Sequence, residues 1–201
     1  QMYGGDLAVG AMTIMSSIMQ IIMLPTMGVT QGSQPIMSYN YGAKQIGRVK
    51  KAFKLTILIT LGYTATMCTA LMIMPEMFVR IFNSDPKLVE ITVWSIRIYF
   101  VGITIFGIQV ACQNTLLALG QAKISLFLAL LRKVILLIPL IYILPTFMEN
   151  KLFAVLLAQP IADITAVITT AICFMVFYKR NLSNIESKSI NTNDKESLNT
   201  N

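Results

Sequence analysis

The sequence predicts an all-α fold, a polytopic membrane helix bundle of about five transmembrane helices. Hydrophobic residues make up 55% of the 201-residue chain and charged residues only 12%, whereas soluble domains carry roughly 25% charged residues. The charges fall into clusters that are separated by long apolar stretches. A stretch of about 18 apolar residues is long enough to suggest a bilayer-spanning helix. Both features argue against a soluble globular domain.

Three charge-free stretches predict the first three spans, which we place at about residues 7–32, 55–75 and 96–118. The first stretch is nearly twice the length of about 20 residues that one span needs. Its second half contains residues that disfavour helices: Gly28, Gly32, Pro35 and Gly42. Because proline and glycine weaken or break helices, we expect the first helix to break in the low thirties, near the cytoplasmic face.

The fourth and fifth spans are predicted at about residues 126–148 and 152–178. The fifth stretch is apolar except for Asp163. The three cysteines all lie inside apolar stretches: Cys68, Cys112 and Cys173. Without the paired spacing of a metal or redox site they are typical of small apolar packing residues, and we expect no disulfide.

The basic residues predict the orientation in the membrane, because Lys and Arg of short loops are retained on the cytoplasmic side. The first connection is strongly basic, and we assign Lys123, Arg132 and Lys133 to the third connection. The second and fourth connections carry fewer basic residues, diluted by acidic ones. The chain is therefore expected in the cell membrane with a cytoplasmic carboxy terminus.

The polar segment 181–201 has almost nothing to bury, so we predict a disordered cytoplasmic tail. The net charge of +7 lies mostly at helix ends, where basic residues meet anionic lipid headgroups. Membrane lipids are thus expected partners, and nucleic acid is not.

Catalysis is a poor interpretation of the polar residues. The chain has no His, and a single acidic residue lies deep in an apolar span. These side chains cannot form a triad, a paired-carboxylate site or a metal cluster. We therefore expect neither an enzyme nor a cofactor, and no bound metal.

Asp163 is the first candidate functional residue, because a carboxylate in the middle of a membrane span is costly to hold. It could carry a proton or bind a cation. Gln159 and Thr170 lie four residues before and seven after it, on the same helix face. The competing interpretation is a hydrogen bond between packed helices.

Amide side chains form the second candidate group. Gln109 and Gln113 are four residues apart, with Asn114 adjacent, so their side chains project in one direction and could hydrogen-bond a substrate. A second face follows steps of four and three along the first span: Gln20, Leu24, Met27, Gln31 and Gln34. Helix packing is again the alternative to a substrate cavity lined by Gln31, Gln34, Gln109, Gln113 and Asp163.

Three stretches carry a resemblance to a known family. Residues 28–44 read GVTQGSQPIMSYNYGAK and are followed by RVKKA at 48–52. They closely resemble the segment after the eighth helix of MATE (multidrug and toxic compound extrusion) transporters, especially MepA-like bacterial ones. ALGQAK at 118–123 and QPIAD at 159–163 match further family segments in the right order.

The resemblance implies a twelve-helix fold of two six-helix lobes, with substrate bound in the cleft between them. The chain would hold helices eight to twelve, a partial carboxy-terminal lobe whose partner is the missing amino-terminal lobe. It begins with Gln1 rather than Met, so a truncated amino terminus is expected. The implied activity is antiport, in which a proton or sodium ion enters as an organic cation or amphipathic drug leaves.

Two other functions remain open from the sequence. A lipid or lipid-linked-sugar flippase of the same superfamily would need a wider, more basic cavity, which Arg97, Arg132 and Lys133 would not supply if they lie near helix ends. A channel or a non-transporting membrane scaffold is the third possibility, although no filter-like carbonyl loop is present.

Overall fold

The computed structural model describes residues 5–148 and 151–182, and all regular secondary structure within them is helical. The elements follow in chain order: α1 Gly5–Gly42, α2 Ile46–Ile73, α3 Pro75–Arg80, α4 Pro86–Tyr99, α5 Ile103–Ala118, α6 Ala122–Leu130, a first π-helical segment Leu131–Leu137, α7 Ile138–Phe147, α8 Lys151–Phe177 and a second π-helical segment Tyr178–Leu182. Of the predicted tail 181–201, the first two residues end the second π-helical segment. The rest of that tail lies outside the described residues.

Four of the described helices are long and apolar enough to cross a membrane: α1, α2, the continuous rod Ala122–Phe147 and the helix Lys151–Arg180. Helices α4 and α5 together meet the same test but are bent by 54°. Counting this bent pair as one span gives five, which confirms the predicted all-α membrane bundle of about five spans. The bend falls inside the predicted third span at 96–118.

The first helix does not break where the sequence predicted. α1 continues through Pro25 and Pro35 over 38 residues, a length of about 57 Å at 1.5 Å per residue. This exceeds the roughly 30 Å of a bilayer core. Its last turns are held by tertiary contacts, because Met37 is 1% exposed and the Ser38 hydroxyl donates to the Ala118 carbonyl oxygen at 2.7 Å. The packing against the end of α5 outweighs the proline.

A close contact without bulky side chains joins α2 to α5. Thr60 and Thr64 lie one turn apart on α2, and both are buried. The Thr60 hydroxyl donates to the Gly107 carbonyl oxygen at 3.3 Å, and the Thr64 hydroxyl donates to the Thr104 carbonyl oxygen at 3.4 Å. Small residues allow helix backbones to approach closely in membranes.

The apolar core has two parts, one toward each end of the bundle. At one end, α1, α2, α4 and α5 pack around Phe100 and Ile103, which are fully buried. At the other end, Ile46, Leu116 and Phe177 bring together the start of α2, the end of α5 and the end of α8. α5 contributes to both parts, so it is the central helix on which the neighbouring side chains are positioned.

Candidate functional site

A cavity of about 390 Å³ opens between α1, α5 and the first π-helical segment. Three of the four predicted amides line it, namely Gln31, Gln109 and Gln113. Gln34 is half-buried and is not among the lining residues. The structure therefore brings three of the four amides to one cavity, and their contact with a substrate stays a prediction.

The two glutamines of α5 differ in their hydrogen bonding. Gln113 donates through Nε2 to the Ser125 backbone carbonyl oxygen at 3.1 Å, and the Ser125 hydroxyl donates to the Gln113 backbone carbonyl oxygen at 3.4 Å. These contacts join α5 to α6, as the packing interpretation required. Gln109 is 2% exposed, and its Oε1 has no hydrogen-bond partner in the described part of the chain. A buried acceptor without a partner is uncommon, and Gln109 is one of the residues that line the cavity.

Asp163 forms a buried ion pair with Arg132. The Arg132 guanidinium contacts Asp163 Oδ1 at 2.7 Å through Nη2 and at 2.8 Å through Nε. The Asp163 side chain is 0% exposed and that of Arg132 is 14% exposed. Gln159 Nε2 adds donor contacts of 3.3 Å to both carboxylate oxygens. A carboxylate and a guanidinium that are both desolvated stabilise each other through short charge-assisted hydrogen bonds.

The ion pair lies directly behind the cavity wall. Arg132 lines the cavity, and its guanidinium carbon lies 4.2 Å from the centre of the Phe106 ring, a cation–π distance. Gly102 packs closely against Asp163, because a Cβ at position 102 would lie 3.0 Å from the Asp163 Cβ. Asp163 is therefore not itself a lining residue of the cavity, as the sequence predicted it to be. It affects the cavity only through its ion pair with Arg132.

The structure corrects the assignment of Arg132 and Lys133 to a connection near a helix end. Both belong to the π-helical segment within the fourth span, and both line the cavity. A basic residue is tolerated at that depth when an acidic residue pairs with it, and π-helical segments are frequent at functional sites. The available signal was the intramembrane Asp163 itself, which requires a partner on a neighbouring helix.

The predicted polar stripe along α8 is only partly connected. Gln159 and Asp163 are joined by hydrogen bonds, whereas the hydroxyl of Thr170 is buried without a hydrogen-bond partner among the described residues. No group of three or more His, Cys, Asp or Glu side chains in residues 5–148 and 151–182 is arranged to hold a metal ion.

Comparison with known sequences places these features in a family. The model of the MatE family matches residues 1–143. The Multidrug export protein MepA of Staphylococcus haemolyticus is 21% identical over 188 residues, which covers 92% of this chain and 40% of the relative. MepA of Staphylococcus aureus (strain NCTC 8325) is 23% identical over 82% of this chain and 36% of the relative. The chain therefore spans about 40% of the length of these curated relatives.

Solved structures show the same helix arrangement. A ligand complex of the MATE multidrug transporter DinF-BH superposes with a TM-score of 0.76 at 34% identity, over 89% of this chain and 39% of that one. A MATE structure in the bent conformation gives a TM-score of 0.83 at 16% identity, over 93% and 40% of the two chains. These matches confirm the fold, and with the family match to residues 1–143 they establish that this chain belongs to the MatE family, whose members are multi-pass membrane transporters rather than enzymes.

Proposed function

We propose that this chain is the carboxy-terminal part of a secondary active multidrug exporter of the cell membrane. In this proposal a proton or sodium ion enters the cell as an organic cation or amphipathic drug leaves. The observation that carries it is the cavity between α1, α5 and the first π-helical segment, which combines flexible apolar side chains with the amide residue Gln109. The names of the MepA relatives, which are multidrug export proteins, support the same function.

The apolar wall of this cavity suits substrates of varied shape. Met19, Met23 and Met27 lie one turn apart along α1 and all line the cavity, as do the ring of Phe106 and the Gln109 amide of α5. Methionine is flexible and polarizable, and surfaces rich in it re-pack around different ligands. The Gln109 Oε1 atom would accept a hydrogen bond from an N–H group of the substrate.

Coupling to an ion would involve the pair of Arg132 and Asp163. The guanidinium lies between the carboxylate and the cavity, so any change in the charge of Asp163 changes the interaction that holds Arg132 in the wall. An ion can shift the protein between two conformations only if it binds one of them more tightly than the other. We assign this change of conformation to the Arg132 side chain, which lies between α8 and the cavity.

The orientation with a cytoplasmic carboxy terminus is also proposed. Ile46, Leu119 and Phe177 belong to one apolar cluster, which brings the start of α2, the connection between α5 and α6 and the end of α8 to one end of the bundle. That end carries eight of the fourteen basic residues in the described part of the chain: Lys44, Arg48, Lys50, Lys51, Lys54, Lys123, Lys179 and Arg180. Under the positive-inside rule it faces the cytoplasm.

A lipid or lipid-linked-sugar flippase is a second candidate, because Lys133 lines the cavity and no carboxylate of the described residues lies within salt-bridge distance of it. The charge of Arg132, in contrast, is balanced by Asp163. The cavity is therefore less basic than its two cations suggest, which favours the drug exporter.

Dye efflux distinguishes these functions. Cells that express the full-length transporter should extrude ethidium under an imposed proton gradient or an imposed sodium gradient, relative to cells with empty vector. The gradient that drives extrusion identifies the coupling ion. Absence of extrusion under both gradients would contradict the exporter and favour the flippase or a scaffold.

Replacing Gln109 with Leu should reduce efflux of dyes that carry N–H donors without lowering stability, because the change removes a buried acceptor that has no partner among the described residues. Gln113→Leu is the comparison variant, since it breaks the hydrogen bond to Ser125 and should cost about 1 kcal/mol of stability. Thermal unfolding of the solubilised transporter and initial efflux rates measure both effects. Unchanged efflux of every donor-bearing dye by Gln109→Leu would contradict the role of this amide.

A further inference from the structure

A second cavity, of about 620 Å³, lies on the opposite side of α6 and is formed with the end of α8. It shares no lining residue with the cavity described above. We name it the α6–α8 groove and define it by six of its lining residues: Lys123, Ile124, Phe127, Ile172, Val176 and Arg180. The drug-export mechanism proposed above does not use any of them.

The groove has a charged mouth and an apolar wall. Lys123 lies in the first turn of α6 and Arg180 lies just beyond the end of α8, so both cations are at the same end of two antiparallel helices. From there Phe127 continues along α6, and Val176 and Ile172 continue along α8 into the membrane span. Among the described residues that line the groove none is Asp or Glu, and Lys123 and Arg180 each bring a positive charge to the mouth.

The apolar wall is open to the surroundings of the bundle. Phe127 and Ile172 are each 53% exposed, and Val176 is 50% exposed. Exposed apolar patches of this size mark contacts with proteins or membranes, and in a membrane-spanning bundle we assign this one to lipid. The adjacent core residues Leu128 and Phe174 are buried behind the wall, so packed side chains form the floor of the groove.

The charges select among lipids. A phosphate group accepts hydrogen bonds from a guanidinium in a bidentate manner and from an ammonium as a point charge. Basic pockets between transmembrane helices on the cytoplasmic side bind anionic lipid headgroups. A zwitterionic lipid would place its own cationic group near the two basic side chains, and an organic cation would be repelled by them.

We propose that the α6–α8 groove is a binding site for an anionic phospholipid. Its phosphate lies between Lys123 and Arg180, and one acyl chain lies along Phe127, Ile172 and Val176. This site is separate from the transport cavity, so it holds whether the full-length protein exports drugs or moves lipids. The lipid would join the start of α6 to the end of α8, on the outer side of the helix that carries Arg132.

Cys173 provides a reporter for this site, because it lines the groove and is half-buried, whereas Cys68 and Cys112 are buried. The full-length transporter in detergent is treated with N-ethylmaleimide, with phosphatidylglycerol or phosphatidylcholine added at equal mole fractions. Peptide mass spectrometry then gives the rate of modification of Cys173. Phosphatidylglycerol should slow this reaction several-fold, and phosphatidylcholine should leave it nearly unchanged.

Charge variants test whether Lys123 and Arg180 are the residues that bind the lipid headgroup. Lys123→Gln/Arg180→Gln should raise the concentration of phosphatidylglycerol needed for half-protection by about tenfold, since each basic residue contributes to headgroup attraction. Lys123→Arg/Arg180→Lys retains both charges and should retain protection. Lys51→Gln/Lys54→Gln removes two charges from α2 at the same end of the bundle and should also retain it.

Three outcomes would overturn the proposal. Equal protection of Cys173 by phosphatidylglycerol and phosphatidylcholine would show that any phospholipid covers the groove, whatever its charge. Equal loss in the α2 control variant would assign the effect to a diffuse basic surface. Unchanged protection in Lys123→Gln/Arg180→Gln, with the protein still monodisperse on gel filtration, would place the lipid elsewhere.

Discussion

Replacing Arg132 with Met should strongly destabilise the full-length transporter. The variant keeps a flexible apolar stem over the Phe106 ring but leaves Asp163, whose side chain is 0% exposed, without its cation. Removing one partner of a buried ion pair costs about 3–5 kcal/mol, because the remaining charge is desolvated and unpaired. The thermal midpoint of the detergent-solubilised protein, followed by size-exclusion chromatography after heating, measures the loss.

Arg80→Met is the matched control, because Arg80 forms an ion pair with Glu76 at the same 2.7 Å distance but with side chains that are 62% and 59% exposed. Exposed pairs of this kind contribute about 0–1 kcal/mol. The two variants remove the same side chain and introduce the same one. Equal midpoints for Arg132→Met and Arg80→Met would contradict a stabilising role of the buried pair.

The double variant Arg132→Met/Asp163→Leu separates stability from transport. Replacing a whole buried pair by apolar residues of similar volume is often neutral for stability, so this variant should recover most of the loss. We expect it to fold and yet to lose gradient-dependent dye efflux, because the ion pair behind the cavity wall is then gone. A double variant that is both stable and fully active would assign Asp163 to helix packing alone.

The sequence predicted features that depend on local composition. Apolar length predicted about five spans, and the four-residue spacing of Gln109 and Gln113 predicted that both side chains lie on one face of α5. The spacing could not show that Gln113 is used in helix packing. Its hydrogen-bond partner is Ser125, which lies on α6 and comes close to α5 only in the folded chain. Hydrogen-bond satisfaction is a property of the tertiary structure, and periodicity does not contain it.

The two wrong predictions have the same physical origin. Pro35 and Arg132 were interpreted by the rules that hold for isolated residues, by which proline ends a helix and Arg lies in a loop. In the fold, the end of α5 holds the last turns of α1 through Ser38, and Asp163 neutralises Arg132 inside the span. Both compensating contacts join residues far apart in the chain, so the sequence offered only the unusual residue and not its partner.

Replacing Gly107 with Val should have the second large effect, a loss of folded protein. A Cβ at this position would lie 2.7 Å from the Thr64 hydroxyl and 2.8 Å from the Thr60 carbonyl oxygen. The second atom belongs to the α2 backbone, so a change of side-chain rotamer cannot relieve the overlap. Overpacking costs about 1–3 kcal/mol and sometimes more, and separating the helices would also weaken the hydrogen bond from Thr60 to the Gly107 carbonyl oxygen.

Gly62→Val is the matched control for this prediction, because Gly62 also lies within a membrane-spanning helix but a Cβ there would meet no atom within 4 Å. Both variants add the same β-branched side chain and the same intrinsic helix preference. The difference between them therefore isolates the α2–α5 contact from any general effect of valine. Gly107→Val should reduce the monodisperse fraction and the thermal midpoint well below those of Gly62→Val. Similar values for the two variants would contradict the close approach of α2 to α5, on which the position of the Gln109 wall depends.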